Sequence, residues 1–140
     1  MSRMVLDTNV IVALLDSKDV HHSRALDLVR RIEDENTLMI MDCILVELYS
    51  VIARRAHERG YNFSQVVLRI QKMEGFLELI NAYDYRPKLH NEILKLMVKT
   101  EGRMNYHDAL ISLVMRRKRI RKIATFDRDF DCIEWLQIVS

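Results

Sequence analysis

Apolar residues along the chain fall alternately in short runs and at helically spaced positions. Five short segments of three to five residues are mainly apolar: 4–6, 38–41, 76–80, 120–124 and 136–139. Runs of this length, bounded by polar residues, predict buried strands. The polar residues 7–9 follow the first run and are interpreted as a turn that leaves the first strand.

Between these runs, apolar residues recur every three or four positions, which predicts amphipathic helices. The segments with this spacing are residues 21–35, 43–59, the stretch that follows Ser64, 87–100 and 106–118. Polar and special residues stand where the helices should begin or end. Ser64 and Asn105 are predicted N-caps, Pro87 fits a first helical turn, and Gly60 stands where a helix would stop.

Strands that alternate with helices indicate an α/β fold in which helices cover both faces of a parallel sheet. In such a sheet, ligands bind beyond the carboxyl ends of the strands, where the winding direction switches. If the strand order is 3-2-1-4-5, the first and fourth strands are neighbours, and residues that directly follow them face each other.

Length and composition are those of an ordinary globular protein. The chain has 140 residues, of which 49% are hydrophobic and 30% charged, and we expect one domain over residues 1–140. Cys43 and Cys132 have no metal-ligand spacing, and neither a signal peptide nor a membrane span is evident. We therefore expect a reduced, cytoplasmic environment. The net charge of +2 is too small to indicate nucleic-acid binding by itself.

Four carboxylates fall where this fold would place a site. Asp7 directly follows the first strand, and Asp127 lies just past the fourth. Glu47 falls in the first turns of the helix after the second strand, and Asp108 in the first turn of the helix before the fourth. We predict that all four meet at one edge of the sheet.

Each acid alone has an ordinary structural explanation. Asp7 can cap a turn, and Asp108 suits a helix N-terminus. Glu47 is harder to explain because it stands among apolar neighbours. Two carboxylates about 5 Å apart repel by roughly 3 kcal/mol, and a divalent cation relieves that repulsion. Oxygen ligands favour Mg²⁺ or Mn²⁺, which can activate water and stabilise phosphoryl oxygens. This combination points to phosphodiester hydrolysis.

Four short motifs resemble those of PIN domains, in the same order along the chain. They are LDTNV at residues 6–10, VELYS at 46–50, YHDALI at 106–111 and ATFDRDF at 124–130. Each motif is weakly specific by itself, but four in order, each with a carboxylate, form a strong signal. Size and spacing resemble the VapC toxins of toxin–antitoxin pairs. The resemblance implies a three-layer, Rossmann-like α/β/α fold and Mg²⁺- or Mn²⁺-dependent cleavage of single-stranded RNA.

The resemblance also implies roles for individual residues. Asp7, Glu47 and Asp108 would be the metal-binding, catalytic acids of the first three motifs. In the fourth motif, Asp127 and Asp129 both fit a Thr-x-Asp-x-Asp-Phe pattern. Asp127 is favoured because it follows the strand end more closely, which leaves Asp129 as a supporting ligand.

Polar neighbours of these acids complete the predicted site. Thr8, Asn9 and Thr125 would orient the carboxylates through hydrogen bonds. Arg54 and Arg116 are candidate contacts to an RNA backbone, although basic residues late in a helix also suit its dipole. The resemblance further implies a homodimer and a cognate antitoxin protein. The alternative that stays open is a PIN-like module that binds RNA or protein without cutting.

Overall fold

The computed structural model describes residues 1–140 and contains a five-stranded parallel sheet. The strands are β1 (Ser2–Leu6), β2 (Asn36–Met41), β3 (Glu78–Ile80), β4 (Lys122–Ala124) and β5 (Gln137–Val139). Their order is β3-β2-β1-β4-β5, which confirms the predicted order 3-2-1-4-5. Leu6 pairs with Ala124, so β1 and β4 end at the same edge of the sheet.

Six helices flank the sheet and give the predicted α/β/α arrangement. They are α1 (Thr8–Leu15), α2 (His22–Ile32), α3 (Asp42–Arg59), α4 (Phe63–Glu74), α5 (Arg86–Lys99) and α6 (Tyr106–Arg117). Two 3-10 turns, Ala82–Asp84 and Arg128–Cys132, complete the chain. No helix combines the length and the apolar character that a membrane span requires.

Two predicted element starts were wrong, and both errors concern helix caps. Asp7 does not open a turn, because its carboxylate accepts the Thr8 backbone N–H and so begins α1 directly after β1. Asn62, not Ser64, caps α4 by accepting the Gln65 N–H. Asparagine and aspartate rank with serine as N-caps, so the earlier polar residue starts the helix in each case.

Most other predicted limits lie within two residues of the observed ones. Gly60 ends α3 with φ +72°, a left-handed conformation that glycine adopts without strain. Asn105 caps α6 as predicted. The third strand is shorter than predicted, because Phe76 and Leu77 form the turn after α4 and Phe76 is 87% exposed.

The hydrophobic core is one cluster of 32 buried residues between the sheet and its helices. Val5, Ile40 and Ile123 supply the sheet, and Ile11 and Ile44 pack from α1 and α3, each at most 1% exposed. Both cysteines are free thiols. Because β1 and β2 are buried and α1 and α3 follow them after at most one residue, the first turns of these helices are fixed at the carboxyl edge of the sheet.

A buried ionic cluster holds the far end of α1 against α3. Asp16, which is 2% exposed, accepts hydrogen bonds from Arg55 at 2.8 Å, Arg59 at 2.6 Å and the Tyr61 hydroxyl at 2.5 Å. Burial raises the pKa of Asp16, but the hydrogen bonds from Tyr61, the Lys18 backbone and Arg55 outweigh it and hold the pKa below its usual value. The cluster therefore stabilises the charged carboxylate and fixes α1.

We expect Asp16→Asn to lower the free energy of unfolding by about 2 kcal/mol, since it leaves Arg55 and Arg59 without their shared carboxylate. Urea unfolding at neutral pH measures the change. The matched control is Asp34→Asn, an exposed position without side-chain partners, which should leave the midpoint unchanged. Equal midpoints for the two variants would contradict a stabilising role for the cluster.

Candidate metal centre

The carboxyl ends of β1 and β4, the start of α1, the second turn of α3 and the first turn of α6 surround a polar cavity of about 350 Å³. The cavity has no hydrophobic residue in its wall. Its lining residues are Asp7, Thr8, Asn9, Glu47, Asn105, His107, Asp108 and Asp127. The structure therefore brings together one acid from each of the four motifs, from parts of the chain up to 120 residues apart.

Asp7 is the most deeply held of the four acids. It is 5% exposed, and its two oxygens accept hydrogen bonds from the Thr8 backbone N–H at 2.8 Å and the Thr125 hydroxyl at 2.7 Å. Burial raises the pKa of Asp7 to about 6, although these two hydrogen bonds oppose the rise. The carboxylate therefore has a fixed orientation, and none of the groups that donate hydrogen bonds to it is positively charged.

Asn9 and Thr125 connect Asp7 to the loop after β4. The Asn9 amide donates to Asp7 at 3.4 Å and to the Thr125 hydroxyl oxygen at 3.3 Å, and its carbonyl accepts the Phe126 N–H at 3.1 Å. The Thr125 hydroxyl oxygen also accepts the Asp127 N–H at 3.0 Å. One hydrogen-bonded network therefore orients Asp7 and fixes the backbone of Asp127.

Asp108 lies in the first turn of α6 and is 9% exposed. Its backbone N–H donates to the capping Asn105 side chain at 2.8 Å. Burial raises the pKa of Asp108 to about 7, and the nearby charges of Asp7 and Asp127 add to the rise. Two neighbouring carboxyls with raised pKa values define a place where a cation would be strongly stabilised.

Glu47 reaches the cavity from the second turn of α3 and pairs with His107. Its side chain is 43% exposed, and one of its oxygens lies 2.6 Å from Nε2 of His107. It is therefore not the buried carboxylate that its apolar neighbours in sequence suggest. The contact with His107 lowers the pKa of Glu47, and the same contact raises the pKa of His107.

His107 was not predicted from the sequence, although it stands inside the YHDALI motif. The available signal was its place beside Asp108 in the first turn of a helix at the predicted site. Its partner, however, is Glu47, which lies 60 residues earlier. Only the packing of α3 against the start of α6 makes this imidazole part of the cavity.

The structure separates the two candidate acids of the fourth motif. Asp127 lines the cavity and accepts the Asp129 N–H at 2.9 Å. Asp129 lies outside the lining, and its side chain, which is 51% exposed, pairs with Arg103 at 3.3 Å. The 3-10 turn that begins at Arg128 directs the two aspartates to different surroundings.

The two candidate RNA-binding arginines lie outside the cavity. Arg54 is exposed on α3, two turns after Glu47. Arg116 lies in the last turn of α6, where its guanidinium is 4.7 Å from the centre of the Trp135 ring. Eight residues of helix separate it from Asp108, which corresponds to about 12 Å along the axis.

The donor set of the cavity fits a hard divalent cation. The buried Thr8 hydroxyl lies beside Glu47, whose pKa it helps to lower, and the surrounding acids offer oxygen ligands of the kind that Mg²⁺ and Mn²⁺ prefer. No group of three or more histidine, cysteine, aspartate or glutamate side chains is close enough to ligate one ion directly. A small cation that keeps several of its waters suits such a ring of acids better than a dehydrated ion.

The family model of the PIN domain matches residues 4–136. The chain therefore belongs to the PIN domain family, whose members are generally nucleases. No curated protein sequence matches the chain significantly.

Solved structures of VapC proteins share the fold. VapC20 of Mycobacterium tuberculosis, described as a Sarcin-Ricin loop cleaving toxin, has a TM-score of 0.75 and 20% identity, with 98% of this chain and 99% of that chain covered. VapBC2 of Rickettsia felis, bound to a DNA fragment from its promoter, has a TM-score of 0.70 and 18% identity, with 97% and 96% covered. VapBC-1 of nontypeable Haemophilus influenzae has a TM-score of 0.68 and 16% identity, again with 97% and 96% covered.

Proposed function

We propose that this protein is a metal-dependent endoribonuclease that cleaves single-stranded RNA, and that it is the toxin component of a VapBC-type toxin–antitoxin pair. The observation that carries the proposal is the gathering of Asp7, Glu47, Asp108 and Asp127 around one polar cavity in a PIN domain. Four acids at one place are costly unless a cation neutralises them. We propose that the chain acts as one domain.

Asp7, Glu47, Asp108 and Asp127 would hold the ion, in part through its waters. When bound, a Mg²⁺ or Mn²⁺ ion supplies hydroxide from water and stabilises charge on a phosphoryl oxygen. Asp7 is the principal anchor, because Thr125 and Thr8 fix both of its oxygens. Thr8, Asn9 and Thr125 hold the acids in place, which limits their movement as charge develops on the substrate.

His107 is the one basic side chain in the cavity wall. Its contact with Glu47 at 2.6 Å raises the pKa of His107, and the protonated imidazole would partly neutralise the acidic cluster. Arg54 and Arg116 remain proposed contacts to RNA outside the cavity. Phosphate contacts at such a distance would set the position of the strand rather than take part in the chemistry.

We also propose a homodimer with a cognate antitoxin, in the cytoplasm. The support is the likeness in fold to structures described as VapBC complexes. Light scattering after size-exclusion chromatography measures the oligomeric state. A small gene directly upstream, whose product co-purifies with this chain, would identify the antitoxin.

The test of the proposed function is cleavage of a mixed single-stranded RNA pool by purified, antitoxin-free protein. Parallel reactions contain Mg²⁺, Mn²⁺ or a chelator. We expect fragments with either metal and none with chelator. Folded protein that binds Mn²⁺ yet leaves every RNA intact would instead favour the second candidate, a PIN-like module that binds RNA or protein without cutting.

The two aspartates of the fourth motif provide a matched pair for the metal site. We expect Asp127→Asn to weaken Mn²⁺ binding by about tenfold or more, because it removes one charge from the cavity wall. Asp129→Asn should change it less than twofold, since that carboxylate faces Arg103. Calorimetric titration with Mn²⁺ measures both. A larger effect at Asp129 would reverse the assignment.

A further inference from the structure

A second cavity, of about 450 Å³, adjoins the acidic one. Asp127 lines both cavities, so the two share a wall. The rest of the second wall includes Arg24 from α2 and Phe126 and Arg128 from the segment after β4. This segment is fixed, because the Phe126 N–H donates to the Asn9 side chain at 3.1 Å. The second cavity therefore has a fixed position relative to the candidate metal centre.

Arg24 is the free cation of this cavity. Its guanidinium carbon lies 4.5 Å from the centre of the Phe126 ring, within the range of a cation–π contact. None of the ion pairs or side-chain hydrogen bonds in the structure involves Arg24. By contrast, Arg55, Arg59 and Arg103 all contact carboxylates. The Phe126 ring thus packs against the Arg24 guanidinium, and the N–H donors of Arg24 stay available to a ligand.

The acids in the same wall have other partners. Asp131 lies 3.6 Å from Arg128, and Asp127 accepts the Asp129 N–H and borders the metal centre. Of the two arginines in the wall, Arg24 is therefore the one that pairs with no acid. A planar guanidinium with free donors matches the geometry of a phosphate, to which arginine can bind in a bidentate manner.

We propose that this second cavity binds the backbone phosphate next to the scissile one, and that Arg24 donates to that phosphate. The ligand class is a single-stranded polynucleotide, and the proposal rests on the proposed ribonuclease function. With one phosphate at the metal centre and its neighbour on Arg24, the strand is held at two successive points. Such a contact sets the position and direction of the strand without reading its bases.

The test measures RNA binding without cleavage, by fluorescence anisotropy of a short labelled single-stranded RNA in chelator. All proteins carry Asp7→Asn so that no strand is cut. We expect Arg24→Gln to weaken binding by about tenfold and to reduce the slope of log K against log salt by about 0.7, the value for one lost phosphate contact to a single strand. Arg24→Lys should retain most of the salt slope because it retains the charge.

Arg30→Gln is the matched control. Arg30 is exposed on the same helix, six residues after Arg24 and about 120° around the helix axis. It has the same charge and no side-chain partner, so its replacement should change the affinity less than twofold. This comparison separates a contact at the cavity from a general loss of positive charge.

Equal affinities and slopes for Arg24→Gln and Arg30→Gln would overturn the subsite, as would a complete absence of RNA binding. The nuclease assay distinguishes this failure from that of the proposed function. If wild-type protein cuts RNA and Arg24→Gln cuts with the same KM, only the subsite is wrong. If wild-type protein does not cut but Arg24 governs the salt slope, the subsite stands and the ribonuclease is wrong.

Discussion

Asp7→Asn is expected to reduce metal-dependent RNA cleavage by about a thousandfold or more. Asp7 is the acid whose two oxygens are fixed by hydrogen bonds, and it faces Asp108 and Glu47 across the cavity. Loss of its charge should cost several kcal/mol of metal-assisted stabilisation, and each 1.4 kcal/mol corresponds to about a factor of ten in rate. The measurement is the initial rate on a single-stranded RNA in Mn²⁺.

The matched control for this variant is Asp27→Asn, an exposed position on α2 without side-chain partners. It should cut at the wild-type rate. Circular dichroism and thermal unfolding show whether each variant is folded. A folded Asp7→Asn protein with more than a tenth of wild-type activity would exclude Asp7 as the principal metal anchor.

The second large effect concerns the stability of the metal-free protein. In chelator, we expect it to be more stable near pH 5 than near pH 8, by about 1.4 kcal/mol from Asp7 alone, because pH 5 lies about one unit below the raised pKa. The pKa of Asp7 rises from 3.8 to about 6, and a tenfold change in a proton-binding constant corresponds to about 1.4 kcal/mol. Because this pKa is raised in the folded state, the stabilising contribution is complete below pH 3.8 and is lost as the pH rises through about 6.

Asp108 and His107 act in the same direction, whereas the lowered pKa of Glu47 has the opposite sign and gives stability that is lost only as the pH falls below 4.5. The pKa of Asp108 is raised to about 7, so its contribution is also lost as the pH rises. The raised pKa of His107 favours the protonated imidazole and has the same sign. Urea unfolding across this pH range in chelator measures the combined contribution of these coupled groups to the free energy of unfolding.

Two further measurements isolate the cause. Asp7→Asn should be more stable than the wild type near pH 8 without metal, and its stability should depend less on pH. Mn²⁺ should stabilise the wild type near pH 8 and much less near pH 5, where protons compete for the same oxygens. A wild-type protein whose stability in chelator rises steadily from pH 5 to pH 8 would contradict the raised pKa values.

Much of the fold follows from local pattern. Short apolar runs became buried strands, and helical spacing gave α2, α3, α5 and α6 with limits close to those observed. The errors arose where two polar residues compete to start a helix, as at Asn62 and Ser64. Residues 10–15, to which the pattern assigned no element, belong to α1, which begins at Thr8. Asp7, which was predicted to leave the first strand in a turn, caps this helix and also lines the acidic cavity.

The candidate site was predictable to the level of its acids. Asp7, Glu47 and Asp108 could be chosen because each occupies a motif next to a predicted strand end or helix start. The apolar neighbours of Glu47 suggested a buried carboxylate, but its side chain is 43% exposed and its partner is His107. Asp127 and Asp129 stand two residues apart in one motif, and sequence favoured Asp127 only by its distance from the strand.

The sequence by itself determined the order of strands and helices, the family and the acids that meet at the carboxyl edge, because periodicity and strand ends are local properties. Only the tertiary structure decided which side chains contact each other across that edge. The pairing of His107 with Glu47 and the contact of Arg24 with Phe126 join residues that are distant in the chain. Asp127 and Asp129, by contrast, are neighbours in the chain that a 3-10 turn directs to different surroundings. Such contacts depend on the packing of helices against the sheet, which fixes distances that no local pattern encodes.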